Sequence, residues 1–506
     1  MITVIMAGGK GTRISSVASD IPKPMIEIES KPVLEHEIEC LREQGFTDIL
    51  ITVGHLGNII MDYFGDGAEF GVNISYYFEK ELLGNAGALF KVKDQLTDDF
   101  LLLNADAMFD IDFNRFVDYH YSHGGIATLF THPNSHPYDS GVIVADDNHS
   151  VLNWLSKEDE RPEYYKNRVN AGLHVLSKKI LDVKVDKEKI DLDRDLLKPL
   201  AGTGKMYCYD SPEYVRDMGT PDRYYGVCED YRNGIIKARN LRNKQKAVFL
   251  DRDGTINKYV GFLTDIKKLE LIDGAAEAIK KINESGYLAI VVTNQPVIAR
   301  GEVSFEELES IHNKMETLLG EKGAYINGIY FCPHHPDKGF AGERIEYKIN
   351  CECRKPKPGM LLQAAGDFNI DLSSSWMVGD GRNDIEADGT AVYTDEVEII
   401  QIKSPEIIRQ PQNAEGKIGS TIVFSVEAAN VKNYEWQYKE KGRNNWITFS
   451  WQDSYDTAGF KLPILNEGRL TNTYRCKITG EDGSIIYTQE VFIYSIKKDD
   501  FETPIL

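Results

Sequence analysis

Six apolar runs in this chain stop abruptly at a turn rich in glycine, asparagine or aspartate. ITVIMAGG (2–9), DILITVG (48–54) and FLLLNAD (100–106) do so early, and AVFLDRDG (247–254), LAIVVTNQ (288–295) and SSWMVGDG (374–381) later. Amphipathic stretches such as VLEHEIECLREQG (33–45) and FEELESIHNKMETLLG (305–320) stand between them. Runs of strand length that alternate with helical periodicity predict βαβ units and mostly parallel sheets. The pattern predicts two α/β domains with Rossmann-like topology, residues 1–235 and 246–392. The basic stretch YRNGIIKARNLRNKQK (231–246) forms a helix tail and linker between them. From residue 400 the texture changes to short alternating strands, STIVFSVEA, YEWQYKE, TYRCKIT and SIIYTQEVFIYSI, broken by Gly, Asn and Asp turns. This predicts an all-β sandwich over residues 400–497.

A length of 506 residues accommodates about three domains. With 42% hydrophobic and 27% charged residues the composition is that of a globular protein and excludes wholesale disorder. No run of about 18 uncharged apolar residues is present, so no membrane span is expected. The formal charge of −21 has the wrong sign for a general nucleic-acid binder. From Gln401 onward there are 13 basic and 14 acidic residues, so the first 400 carry −20. An acidic protein that handles phosphates must gather cations locally or borrow metals. The N-terminus reads as a strand entering a loop, without the basic segment of a signal peptide, and a cytoplasmic location is expected. Three of the seven cysteines crowd into residues 332–353, which favours a metal site over disulfides.

The first strand runs into Gly8-Gly9-Lys10-Gly11-Thr12-Arg13. Such glycines let backbone N–H groups approach a polyphosphate, and Lys10 and Arg13 add charge. PKPM (22–25), LGNAGAL (83–89), LLLNAD (101–106), NAGLHVL (170–176) and YVRDMGTPDRY (214–224) follow in order. Together these segments resemble the sugar-1-phosphate nucleotidyltransferases over essentially all of residues 1–235, most of all the guanylyltransferase and mannose-type branch. The resemblance implies that a nucleoside triphosphate, GTP in that branch, and a sugar 1-phosphate give a nucleotide sugar and pyrophosphate. It assigns Asp106 and Asp217 to Mg²⁺, and Lys23 and Arg13 to the phosphate charge. Gly8, Gly9, Gly11, Thr12 and Gly87 would line the nucleotide, and Asn170 and Asp139 would face the sugar. Asn85, where relatives commonly have threonine, is assigned no contact. The attacking phosphate is already an anion, so alignment and charge neutralisation suffice.

In the second domain Asp251 and Asp253, two apart on an extended segment, point to one side. Thr293-Asn294 closes the next strand, Lys355 lies in CRKPKPG, and Asp380 ends a third strand. This order resembles the haloacid dehalogenase phosphatases. It implies Asp251 as nucleophile, Asp253 as acid–base, and Thr293 and Lys355 on the transferring oxygens, with Asn294 at the substrate. Asp251, Asp253 and Asp380 would hold Mg²⁺, with Asp384 beside or behind it. Cys332-x-His334 and Cys351-x-Cys353 supply four ligands in two tight pairs, suited to a closed structural zinc site; His335 is a competing ligand. This loop with DRDGT and the TNQ…ARG segment resembles the heptose 1,7-bisphosphate phosphatases, kin of the histidinol phosphatases. Arg252, Arg300 and Arg354 would then clamp the substrate.

The two resemblances describe consecutive steps. A bisphosphate that loses its 7-phosphate becomes a sugar 1-phosphate, the substrate class of the first domain, so heptose phosphates and an activated GDP-heptose are expected. Two alternatives stand beside this. One is a nucleotidyltransferase for another sugar, such as mannose 1-phosphate, with an inactive or histidinol-phosphatase-like second domain. The other is a binding or scaffold protein. Relatives of the second domain continue some fifty residues past the metal aspartate, whereas here GDGRNDIEAD runs on directly, with Asp388 where a glycine is usual. The missing strand and helix predict an uncovered sheet edge. The tail resembles a bacterial immunoglobulin-like domain, with Trp436 in the core, a tyrosine corner at Tyr474-x-Cys476 and no inter-sheet disulfide. Its partner is not identified by the sequence; Trp446 and Trp451 are expected as core or edge residues.

Overall fold

The computed structural model describes residues 1–9, 21–81, 83–185, 187–339, 341–381, 383–384, 398–400 (backbone only), 405–443, 445–449, 458–480 and 484–494. The chain divides into two compact units, Met1–Lys348 with Gly366–Ile370, and Ile349–Ala365 with Asp371–Leu506. Each is described by itself.

The first unit begins with β1 (Thr3–Ala7), α1 (Val33–Arg42), β2 (Asp48–Val53), α2 (Gly57–Phe64), β3 (Asn73–Phe78) and β4 (Asp99–Asn104). Then come β5 (Ala107–Asp110), α3 (Phe113–His123), β6 (Ala127–His132), β7 (Val142–Ala145), β8 (Val151–Leu155) and β9 (Val169–Ser177). The segment closes with β10 (Met206–Asp210), β11 (Tyr214–Asp217) and α4 (Pro221–Arg232). Nine of these strands form one sheet in the order β8-β7-β9-β4-β1-β2-β3, with β6 on β9 and β10 on β6. The centre is parallel, Ile5 facing Ile51 on one side and Leu103 on the other. Strand alternation sends Ile5, Ile51, Leu101 and Leu103 to one face and Val4, Leu50, Phe100 and Leu102 to the other. Both faces are covered, so the runs read as continuously apolar rather than alternating.

The antiparallel β9 slips register against β6 between Asn170 and His174. Gly172 sits in this irregularity with φ +76°, and a Cβ there would come 2.4 Å from Asn104 Nδ2. Only glycine fits such a bulge, which follows the paired Asn170 and leaves Ala171 and Gly172 without ladder partners. A separate ribbon pairs β11 with β5, Asp217 opposite Ala107.

The unit continues with β12 (Ala247–Leu250), α5 (Ala275–Glu284), β13 (Leu288–Asn294), α6 (Phe305–Glu321) and β14 (Gly328–Cys332). The three strands are parallel, β13 in the middle. A capping box starts α6: Ser304 Oγ accepts from Glu307 N at 3.1 Å, and the Glu307 carboxylate accepts from Ser304 N at 2.8 Å.

In the second unit β15 (Trp376–Gly379) pairs antiparallel with β16 (Glu398–Ile400). Where the sequence predicts a bare edge, β15 has a strand beside it. Beyond lie β17 (Thr421–Ser425), β18 (Val431–Lys439), β19 (Gly459–Pro463), β20 (Thr473–Gly480) and β21 (Val491–Tyr494). β17 pairs with β19, and β18 with β20, Trp436 facing Cys476. Trp436, Tyr474 and Cys476 are fully buried with Phe424 and Phe460, and the Tyr474 hydroxyl donates to Arg469 O at 2.6 Å. These strands form a β region. Trp446 lies half-buried between cations, 4.7 Å from Lys439 Nζ and 4.1 Å from the Arg475 guanidinium. Asp388 and Trp451 lie outside the described residues.

Candidate functional site

At the carboxyl end of β1, Gly8 and Gly9 open the glycine loop. Lys10, Gly11, Thr12 and Arg13 lie outside the described residues. A 3₁₀ turn at Lys23–Met25 buries Lys23, whose Nζ reaches Asp106 Oδ2 at 2.9 Å just past the end of β4. The side chain of Lys23 is 8% exposed and that of Asp106 47%, so the cation is fixed while the carboxylate still faces outward. The β5–β11 ribbon brings Asp217 alongside, with Met218 N donating to Asp106 O at 3.2 Å. Gly87 begins a five-residue helix, and the Asn85 amide oxygen accepts from Leu192 N at 2.8 Å, a structural bond.

Two residues near this cluster escape sequence reasoning. Arg223, on α4, donates to Asp217 and lies 3.6 Å from Asp139 Oδ2, tying together two acids expected to serve different ligands. Glu37, on α1, is fully buried, and neither carboxyl oxygen has a partner among the described residues. Burial pushes its carboxyl well above the usual range; Asp106 adds to the shift and Lys23 opposes it. Both residues sit on helices whose periodicity is that of any amphipathic helix, so no spacing signals them. A cavity of about 940 Å³ is lined by Asp139, Asn170, Asp217 and Arg223, and also by Lys280 and Tyr325.

At the end of β12, Asp253 is held from several sides. Arg252 Nη2 donates to its Oδ2 at 2.8 Å and Oδ1 at 3.0 Å, Gln295 Nε2 to Oδ2 at 2.9 Å, and Asn257 Nδ2 to Oδ1 at 3.1 Å. Arg252 is fully buried, and its Nη1 donates to His312 Nε2 at 3.2 Å. Burial and the Arg252 charge hold His312 well below the usual imidazole range, leaving the ring neutral with a lone pair to accept. Arg252 was expected on the substrate; the structure turns its guanidinium inward instead, onto Asp253, Gln295 and His312. Thr293, 1% exposed, accepts from Gln295 at 3.0 Å, and Asn294 follows it at the end of β13. Arg300 pairs with Glu302 at 2.8 Å and lies 4.4 Å over the Phe262 ring. Arg354 is half-buried. Lys355 and Asp384 form a buried ion pair.

Two groups could hold metals. Asp251 follows β12 in the first unit, and Asp380 and Asp384 follow β15 in the second. Three hard carboxylates fit Mg²⁺. The Asp253 oxygens face Arg252, Gln295 and Asn257. The second group is two pairs, Cys332 Sγ 3.6 Å from His334 Nδ1 in the first unit and Cys353 Sγ 3.3 Å from Cys351 Sγ in the second, soft ligands of a kind that bind zinc. His335 Nδ1 accepts from Asp337 N at 3.2 Å.

Residues 2–234 match the nucleotidyl transferase family model, and residues 197–387 the haloacid dehalogenase-like hydrolase model. The chain thus joins a nucleotidyltransferase to a haloacid dehalogenase-type phosphatase. A D-glycero-β-D-manno-heptose-1,7-bisphosphate 7-phosphatase of Yersinia pestis is 40% identical over 195 residues, 38% of this chain and 97% of that protein. The corresponding Pasteurella multocida protein is 46% identical over 144 residues, 28% of this chain and 75% of the relative. Through this part the chain belongs to the family of the heptose-bisphosphate 7-phosphatases. A UTP–glucose-1-phosphate uridylyltransferase of Synechocystis is 34% identical over 261 residues, 48% of this chain and 66% of the relative. The crystal structure of HddC from Yersinia pseudotuberculosis aligns at 26% identity and TM-score 0.40, over 46% of this chain and 99% of that one. Among the described residues no helix is long and apolar enough to cross a membrane.

Proposed function

We propose that the chain removes the 7-phosphate of D-glycero-D-manno-heptose 1,7-bisphosphate and transfers a nucleotidyl group, GMP from GTP, to the resulting heptose 1-phosphate. The reading is carried by the presence, in one chain, of a phosphatase family whose named substrate is a 1,7-bisphosphate and a transferase family that takes sugar 1-phosphates. We assign residues 1–235 to the transferase, 246–392 to the phosphatase and 400–497 to an immunoglobulin-like module. Both reactions use phosphorylated sugars, the second also a nucleoside triphosphate, and we place them in the cytoplasm.

In the phosphatase, Asp251 attacks phosphorus and the P–O bond to the sugar breaks. Asp253 gives its proton to the leaving alkoxide, then takes one from the water that hydrolyses the aspartyl phosphate. Its hydrogen bonds from Arg252, Gln295 and Asn257 fix the carboxyl for this exchange. We therefore assign Arg252 to positioning Asp253, and leave Asn294, Arg300 and Arg354 to the substrate. Thr293 and Lys355 serve the transferring oxygens. Mg²⁺ held by Asp251, Asp380 and Asp384 would offset the repulsion between an anionic nucleophile and an anionic phosphate. The Cys/His group would hold a structural zinc ion.

In the transferase, an oxygen of the sugar phosphate attacks the α-phosphorus and pyrophosphate leaves. Lys23 and Arg13 balance the charge, Asp106 and Asp217 would hold Mg²⁺, and Gly8, Gly9, Gly11, Thr12 and Gly87 cradle the nucleotide. Asn170 and Asp139 face the sugar. The 34% identical uridylyltransferase supports UTP as a second reading of the donor.

One assay separates these readings. The full chain is given heptose 1,7-bisphosphate, Mg²⁺ and each nucleoside triphosphate in turn, and phosphate and pyrophosphate are measured. Both products with GTP support the proposal, and pyrophosphate from UTP alone moves the donor. Phosphate without pyrophosphate from any triphosphate sinks the coupled reading.

A further inference from the structure

The candidate sugar contacts of the transferase are braced by a helix of the phosphatase domain. On α6, the Glu316 carboxyl accepts from Asn167 N at 2.7 Å, a buried bond. The next residue, Thr317, accepts from Tyr165 N at 3.0 Å. Asn167 in turn clasps residue 134 twice, its Oδ1 accepting from Asn134 N at 3.1 Å and its Nδ2 donating to Asn134 O at 2.7 Å. Three residues past Asn167 stands Asn170, at the bulge of β9.

The last turns of α6 also press on the other sugar contact. Pro137–Asp139 is a 3₁₀ turn, and a Cβ added at Gly320 would come 2.9 Å from Pro137 Cγ. The cavity that holds Asp139 and Asn170 has further walls from the phosphatase domain, at Lys280, Asn283, Tyr325 and Asn327. These walls lie away from the β12 and β13 carboxyl ends, so the cavity belongs to the transferase alone. One turn back on α6, His312 meets Arg252 and through it Asp253.

We propose that Glu316 is a positioning residue of the transferase: from the phosphatase domain it fixes residues 165–170 and so sets the acceptor side of the nucleotidyl-transfer site. The chemistry needs only an acceptor oxygen for the Asn167 N–H. Burial raises the Glu316 carboxyl above its usual range while Lys166 and the Asn167 amide draw it back, and either protonation state presents that oxygen. The proposal rests on the transferase reading above.

The test uses the full chain with Glu316→Ala, Glu316→Gln and Gly320→Val. Loss of one buried hydrogen bond that orders a binding segment is expected to raise the KM for the sugar 1-phosphate about tenfold in Glu316→Ala. The KM for the triphosphate and the rate of phosphate release stay within about twofold, because the His312–Arg252–Asp253 contacts are untouched. Glu316→Gln keeps an acceptor oxygen and restores the acceptor KM. Gly320→Val raises it by displacing Pro137. An acceptor KM unchanged in Glu316→Ala overturns the proposal, and so does an equal fall in both activities, which would mark general damage to the fold. Amide exchange at residues 165–170 is the second readout. It quickens in Glu316→Ala and returns in Glu316→Gln if Glu316 holds the segment, and unchanged exchange overturns the proposal. If the unmodified chain makes no pyrophosphate from any triphosphate, the transferase reading fails by itself, and the exchange result still decides the role of Glu316.

Discussion

Lys23 Nζ and Asp106 Oδ2 meet at 2.9 Å across 83 positions of sequence, one buried and the other half open to solvent. The asymmetry matters for charge. A buried ammonium cannot swing away, so its field is already in place where the phosphates arrive, and no reorganisation is needed at the moment of transfer. Replacing Lys23 by Met is expected to lower pyrophosphate formation by about 10²–10³-fold, while phosphate release from the bisphosphate is unchanged. Lys23→Arg should recover only part of this, since the planar fork does not fit a site shaped for a point charge. Steady-state rates of the two products in the same tube make the comparison.

Arg252 and Asp253 are chain neighbours whose side chains bond to each other, with the guanidinium fully buried. Removing the cation by Arg252→Met leaves Asp253 with Gln295 and Asn257 but without its counter-charge. Breaking a buried pair costs about 3–5 kcal/mol; the partial exposure of Asp253 puts the expected loss near the lower end. Asp253→Asn keeps an acceptor oxygen for Arg252 and removes the proton carrier, but it leaves the fully buried guanidinium without its counter-charge, so phosphate release should collapse together with a comparable loss of stability. Urea unfolding and phosphate release, measured on both variants, distinguish a folding role from a chemical one. Unchanged stability in both variants would contradict the assignment of Arg252 to Asp253.

The strands and the groups at their ends were legible because period and chemistry coincide there. ITVIM runs into glycines and FLLLN toward Asp106, and the structure puts both at the carboxyl ends of adjacent parallel strands. What joins Asp217 to Asp106 was legible only as motif order; the ribbon that performs it depends on β5 and β11 pairing over a long separation. Glu37, His312 and Glu316 could not be read at all. Each occupies an inward position on a helix where a sequence pattern expects an apolar residue, and each is buried for a contact or field set by a distant element. Arg252 was misplaced for a related reason. Its neighbour Asp253 suggests an exposed catalytic edge, but β12 ends at Leu250, and past it the buried Arg252 guanidinium folds onto Asp253, Gln295 and His312.

The four soft ligands Cys332, His334, Cys351 and Cys353 predict about one equivalent of zinc in the purified chain, detectable by elemental analysis. Cys351→Ser leaves three ligands and should weaken the site. The expected result is zinc loss at lower chelator concentration and a lower unfolding temperature, with pyrophosphate formation unaffected below that temperature. His335→Ala should leave the zinc content unchanged, because the Cys-x-His spacing assigns the ligand to His334. Zinc loss in His335→Ala equal to that in Cys351→Ser would reverse the choice of histidine.

Glu213 carries a pH dependence of its own. It is 3% exposed, and accepts from Asp112 N at 2.7 Å, Leu241 N at 2.9 Å and Ser211 Oγ at 2.9 Å. Burial outweighs these three bonds and raises the carboxyl from 4.5 to about 7. A folded-state value above the unfolded one means that the folded chain holds the proton more tightly. The stability this contributes is full below about pH 4.5 and falls as the pH rises through about 7. The whole effect is on the order of 3 kcal/mol at most. Glu213→Gln retains an acceptor for the two backbone N–H groups and cannot ionise. Relative to the unmodified chain, the variant should therefore gain stability between pH 5 and pH 8. Urea midpoints at those two pH values measure the difference, and a variant whose relative stability does not change between them would place the titrating group elsewhere.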